Sequence, residues 1–188
     1  DALMLKSKVK FHLSMMVFYS QAVLLPLDFK TMIKIISGGQ TGADLGALIA
    51  AREHGIETGG WMPKGFLNQT GSHPEYADLY GMQEHSSSRY QPRTALNVKE
   101  SDGTLRIAAN FNSAGEVLTM RMIEQYKKPY FDVDVLIYNI TPNDVVEWIK
   151  KNEIKILNVA GNSERSAPHI EEFTIAFLYE VFECFKNS

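Results

Sequence analysis

The sequence predicts one α/β domain, an open parallel sheet of about five strands with helices on both faces. Three observations lead there. From residue 32 onward, short β-branched runs alternate with segments of helical periodicity. No run of hairpin signals joins neighbouring strands. Four of the loops that leave strand carboxyl ends combine Gly with small or hydrogen-bonding residues. The 188 residues suit a domain of ordinary size with a full core.

Residues 1–31 stand apart from this pattern. Lys6, Lys8 and Lys10 precede an apolar run from Phe11 to Leu27, interrupted by His12, Ser14, Ser20, Gln21 and Pro26. Three readings stay open: an extension foreign to the fold, a docking strand or helix, and a targeting segment. The run is too interrupted to span a bilayer comfortably, and residues 32–188 are taken as the domain.

The first strand is Met32–Ser37, a short β-branched run typical of a buried parallel strand. The breaker cluster Gly38-Gly39-Gln40-Thr41-Gly42 follows, and then a helix from Ala43 to His54 with Leu45, Leu48, Ile49 and Arg52 along one stripe. Ile56–Thr58 suits a short second strand, whereas residues 61–92 are polar and rich in Gly, Pro and Ser, as expected of a functional or mobile loop. Leu105–Ala109 is the third strand, Gly115–Lys128 a helix stopped by Pro129, and Tyr130–Ile137 holds the fourth strand. Thr141-Pro142-Asn143-Asp144 starts a further helix. Ile154–Ala160 is the fifth strand, and Pro168–Phe185 a strongly apolar terminal helix. Its apolar residues exceed what one sheet face needs, which suggests self-association.

Composition narrows the function. Nineteen basic residues against 22 acidic ones give a net charge of -3, which argues against a broad nucleic-acid surface. Cys184 is the lone cysteine, so neither an intrachain disulfide nor a thiolate metal cluster can form. A reducing, cytoplasmic setting without membrane attachment is expected. No His, Cys and Asp spacing matches a dedicated metal site.

In an open parallel sheet, ligands bind beyond the strand carboxyl ends. The first loop is the most telling: Gly38, Gly39 and Gly42 permit positive φ and close approach, and the helix start behind them favours an anion such as phosphate. Gln40 and Thr41 add donors. The loop lacks the Gly-Lys-Ser/Thr of a P-loop and the dinucleotide Gly-x-Gly-x-x-Gly. A tight turn without ligand is the alternative. Asp44 either braces this loop or contacts ligand. In the second loop Gly60 allows close approach, Lys64 between Pro63 and Gly65 is either a phosphate contact or a solvated lysine, and Trp61 either stacks on a flat ring or packs. Ser113 and Gly115 of the third loop, and Gly161 and Asn162 of the fourth, complete the candidate ligand site. Asp102 resembles a turn residue.

Several segments carry a resemblance. Ile35–Asp44, Gly59–Gly65, Thr94–Val98, Ser101–Leu105 and Leu157–Gly161 together resemble the molybdenum carrier family, in the right order and from about Met32 to the C-terminus. That family is similar to a wider Rossmann-like group including LOG-type phosphoribohydrolases. The resemblance implies a Rossmann-like fold, a homodimer or homotetramer, and binding of molybdenum cofactor or another phosphorylated, nucleotide-like heterocycle. Molybdenum would then arrive already chelated by its pterin. LOG-type enzymes carry Pro-Gly-Gly-x-Gly-Thr-x-x-Glu; here the matching stretch places Glu116 at the threonine and Thr119 at the catalytic glutamate. A hydroxyl does not replace a carboxylate as general base near neutral pH, so binding without turnover is expected. A phosphoribohydrolase and a nucleotide sensor are the alternatives. Glu116 either caps its helix or repels phosphate there. Arg165 lies in a rearranged form of the family's Arg-Glu-Ser pattern.

Overall fold

The computed structural model describes residues 33–137 and 140–187, so the readings of residues 1–31 and of Met32 lie outside the described residues. In chain order the elements are β1 (Lys34–Ser37), α1 (Ala43–Glu53), β2 (Glu57–Met62), β3 (Leu67–Asn68), β4 (Gly71–Ser72), α2 (Tyr76–Tyr80) and β5 (Met82–Glu84). Then come α3 (Tyr90–Glu100), β6 (Gly103–Ala108), α4 (Ala114–Tyr126), β7 (Tyr130–Asp134), α5 (Pro142–Lys151), β8 (Ile156–Gly161) and α6 (Ile170–Lys186).

Six strands form one parallel sheet in the order β5-β2-β1-β8-β6-β7. The chain runs outward from β1 through β2 to β5, crosses to β6 and β7, and returns with β8 into the place beside β1. The β1–α1 and β8–α6 loops therefore leave adjacent strands on the same edge, where the order reverses. That is where open α/β sheets bind ligands.

The two faces of the sheet differ because side chains alternate along a strand. Ile35, Leu105, Ile107, Leu157 and Val159 point into the main core, which is closed by α1, α5 and α6. Their neighbours Thr104, Arg106 and Asn158, all buried, occupy the other face, beneath α3 and α4. Asn158 Nδ2 donates to Thr104 Oγ1 across β8 and β6 at 3.2 Å. A strand buried on both faces usually reads as unbroken apolar. The polar residues here mark the face turned toward the site.

Local signals account for the helix ends. Thr141 and Asp144 form a reciprocal capping box with Pro142 in the first turn. Ser113 caps α4 by accepting the Glu116 N–H. The stretch 61–92, expected to be irregular, contains the β3–β4 hairpin, α2, the start of α3 and β5, the sixth strand. These elements escape periodicity because none but α3 exceeds five residues.

α6 lays its apolar face inside the chain. Ile170, Thr174, Phe177, Leu178, Val181 and Phe182 are buried against α1 and α5. Its hydrophobicity is thus accounted for by intrachain packing and does not by itself call for a partner. Leu136 and Ile137, just past the edge strand β7, are the more exposed apolar residues at 67% and 54%. No helix among the described residues is long and apolar enough to cross a membrane.

Candidate functional site

A cavity of about 430 Å³ opens at the carboxyl edge of β1, β8 and β6, roofed by α3 and the first turns of α4. Gly38, Gln40 and Asp44 of the first loop line it, with Ser113 and Gly115 of the third and Ser163 and Ser166 of the fourth. Tyr90, Arg93, Thr94 and Asn97 reach it from α3, Leu118 and Thr119 from α4, and Asn158 from β8. The volume falls in the range of small-molecule sites.

The first loop is hydrogen-bonded within the protein. Gln40 N–H donates to Asp44 Oδ2, Thr41 N–H to its neighbour's Gln40 Oε1, Gly42 N–H to Glu171 Oε2 and Ala43 N–H to the Asn162 carbonyl. The amides that a phosphate would meet at the start of α1 are engaged, two of them by carboxylates. Burial raises the Asp44 carboxyl above its ordinary pKa, opposed by the Arg93 charge and by backbone N–H groups of Gln40, Gly38 and Gly161. Burial likewise raises Glu171, opposed by the Gly42 N–H.

The glycines of the site serve distinct purposes. A Cβ on Gly38 would fall 1.6 Å from Arg93 Nη1, so the bare backbone makes room for the guanidinium. Gly42 has φ 88°, and its Cβ would meet the Asn162 carbonyl at 2.5 Å and Glu164 N at 2.6 Å. Its role is the close packing of the first loop on the fourth. Gly39 lies at φ 66° against Met62, and Gly60 (φ 125°) and Gly161 hold neighbouring strands together: their Cβ atoms would strike the carbonyls of Ser37 at 2.1 Å and Ile107 at 1.9 Å. Gly115 has open space about it.

Arg93 is the cation of the cavity. Its side chain is 12% exposed, its nearest carboxylate is Asp44 at 3.5 Å, and its buried Nε has no hydrogen-bond partner. The ring of Tyr90 lies 5.4 Å from the guanidinium carbon. A buried cation holding one long contact has donor capacity for an incoming anion.

Other candidates are placed elsewhere. Trp61 pairs its backbone with the Asn97 amide and donates from Nε1 to Glu100 Oε2 at 2.8 Å; it does not line the cavity. Lys64 is exposed and also outside it. Asn162 is buried and clamps the third loop, accepting from the N–H groups of Ala109 and Asn110 and donating to Ser113 Oγ. Asp102 accepts from the N–H groups of Lys155 and Ile156, the bracing role of a turn residue.

Glu116 neither caps α4 through its side chain nor faces the cavity. It is 1% exposed and turned toward Arg106, 3.6 Å away, which also grips Asp132 through two nitrogens at 2.8 and 2.5 Å. Burial pushes Glu116 up to about 7, opposed by Arg106 and assisted by the charges of Asp44 and Asp132. Thr119 donates its hydroxyl to the Gly115 carbonyl and stands at the cavity wall. Among the described residues no group of three His, Cys, Asp or Glu could hold a metal ion.

Sequence reasoning left Tyr90, Arg93 and Asn158 out of the site. Asn158 leaves a signal, a polar residue inside the apolar run Ile156–Val159. Arg93 directly precedes the Thr94–Val98 motif, whose Asn97 is fixed by its bonds to β2.

Fold and geometry together define a Rossmann-like α/β domain with a cavity of about 430 Å³ at its strand switch point. Residues 35–182 match the model of the circularly permutated YpsA SLOG family, and the chain belongs to that family. A crystal structure of a putative molybdenum carrier protein from Syntrophus aciditrophicus SB is similar over 81% of this chain and 95% of that one. The identity is 42% and the TM-score 0.72. Comparison with curated proteins returns no match.

Proposed function

We propose that this chain binds a phosphorylated heterocycle, molybdenum cofactor first among candidates, and holds it without transforming it. The observation that carries this reading is Arg93: a largely covered guanidinium, its buried Nε unpartnered, on a cavity of about 430 Å³. A phosphate would meet Arg93 and the first turn of α4, whose dipole favours an anion. Glu116 does not oppose it there, because its carboxyl is turned inward to Arg106. The edge of a pterin or purine would find amide and hydroxyl partners in Asn158, Thr94, Ser163 and Ser166.

The lining fits a chelated metal and not a bare one. Hydroxyls, amides, the Arg93 cation and a single carboxylate, Asp44, line the cavity beside apolar Leu118 and Ala160, and the lone Cys184 belongs to α6, packed against the main core. Softer ligands for molybdenum would come from the pterin itself. The name of the Syntrophus aciditrophicus protein supports cofactor cargo.

Asp44 favours a second reading. It places a carboxylate of raised pKa on the cavity wall, as a nucleoside-monophosphate phosphoribohydrolase would require. Its hydrogen bond from Gln40 and its pairing with Arg93 favour the bracing role instead. Mass spectrometry of small molecules released from freshly purified protein, with molybdenum quantified in parallel, tests the proposal. A phosphorylated pterin is the expected result. Free base accumulating from added nucleoside monophosphate, and lost in Asp44→Asn, would establish the enzyme.

A further inference from the structure

A second cavity of about 460 Å³ lies beside the first and is more open. The partition between them is thin. Gln40 faces the first and Thr41 the second; Ser163 faces the first and Glu164 the second. Gln69, at the tip of the β3–β4 hairpin, lines both. Its side chain is the crossbar: Nε2 donates to Ser163 Oγ at 3.2 Å and Oε1 accepts from Thr41 Oγ1 at 3.3 Å. Both bonds are at the long end of the normal range, and Gln69 is exposed. A ligand can therefore displace this side chain without disturbing the core.

The chemistry of the second cavity differs from the first. Glu164 and Glu171 present two carboxylates, each anchored by backbone N–H groups: Glu164 by those of His169 and Glu171, Glu171 by that of Gly42. Arg165 is its one cation, and Thr41, Thr70 and Leu45 supply two hydroxyls and an apolar wall. Two fixed acceptor carboxylates disfavour a phosphate and suit the hydroxyls of a sugar.

We propose that the two cavities form one extended site for a two-headed ligand of the dinucleotide class, its second, sugar-bearing head lying beyond Gln69. This rests on the reading that the first cavity binds a phosphorylated heterocycle. The bridging phosphates pass between Arg93 and Arg165, and the second ribose meets Glu164 and Glu171.

Calorimetric titration of the whole protein with AMP and with diadenosine pyrophosphate tests it. The expected result is at least tenfold tighter binding of the dinucleotide. Thr70→Trp, at an exposed position that fills the second cavity, should erase that advantage and leave AMP unchanged. Arg165→Ala should weaken the dinucleotide alone, by about tenfold. Equal affinity for the two probes, or a dinucleotide advantage that survives Thr70→Trp, would overturn the extended site while the first-cavity reading stands. Binding of neither probe would overturn the dinucleotide site, and the first-cavity reading would then stand or fall with a phosphorylated pterin titrated in the same way.

Discussion

Replacing Glu116 by Gln removes a buried carboxyl that burial drives to near-neutral titration. Glu116 sits at 1% exposure under α4, its Oε2 lacks a hydrogen-bond partner, and burial raises it from 4.5 to about 7. For a carboxyl raised on folding, the native state binds the proton more tightly than the unfolded chain does. Its contribution to stability is therefore complete below the unfolded value of 4.5 and disappears as pH rises through about 7. At about 1.4 kcal/mol per pH unit, this group weakens the fold by about 3 kcal/mol between pH 4.5 and pH 8. Glutamine keeps the shape and does not titrate. Urea denaturation of parent and Glu116→Gln at pH 5, 6, 7 and 8 isolates the difference, since the other titrating groups are shared. The variant should gain about 2.5 kcal/mol on the parent across that range, most of it between pH 5 and 7. Parallel pH profiles would mean that Glu116 stays ionised against Arg106 throughout, and the buried-acid reasoning would be refuted.

Other outcomes follow from the packing. Gly42→Ala should destabilise the domain by at least about 2 kcal/mol, measured by thermal melting, because its Cβ would overlap backbone of the fourth loop at positive φ. Lys64→Ala and Trp61→Phe should leave ligand affinity within about twofold by calorimetry, since neither residue reaches the cavity. Incubation with nucleoside monophosphates should release no base above background by chromatography, with Thr119 where the LOG-type glutamate would stand. Light scattering should show a homodimer or homotetramer at micromolar concentration, with Leu136→Asp and Ile137→Asp together shifting it to monomer if the exposed segment beside β7 is the contact.

Much of the fold is legible in the sequence because its long elements announce themselves. The β-branched run before Gly38, the capping box at Thr141 and the apolar terminal helix each state their structure locally. β5 does not, being three residues held by pairing with β2 rather than by its own pattern. The site is half legible. The loops at the strand ends are readable from Gly spacing, and Gly38, Gln40, Asp44, Ser113 and Gly115 do meet in one cavity. Spacing does not reveal why a glycine is needed, and Gly42, Gly60 and Gly161 prove to hold backbone against backbone. Nor does it reveal Arg93, whose place depends on the roofing of the sheet by α3. Trp61 is open to two readings in the sequence, stacking on a ligand or packing, and the structure ties its indole to Glu100 outside the cavity.

Titration of a phosphorylated pterin into the parent and into Arg93→Gln tests most directly whether the cavity holds a phosphorylated ring through Arg93. Losing a charge-assisted contact of about 1.5–3 kcal/mol predicts affinity lower by about ten- to a hundredfold in a variant that melts like the parent. Equal affinity in a folded Arg93→Gln protein would contradict it.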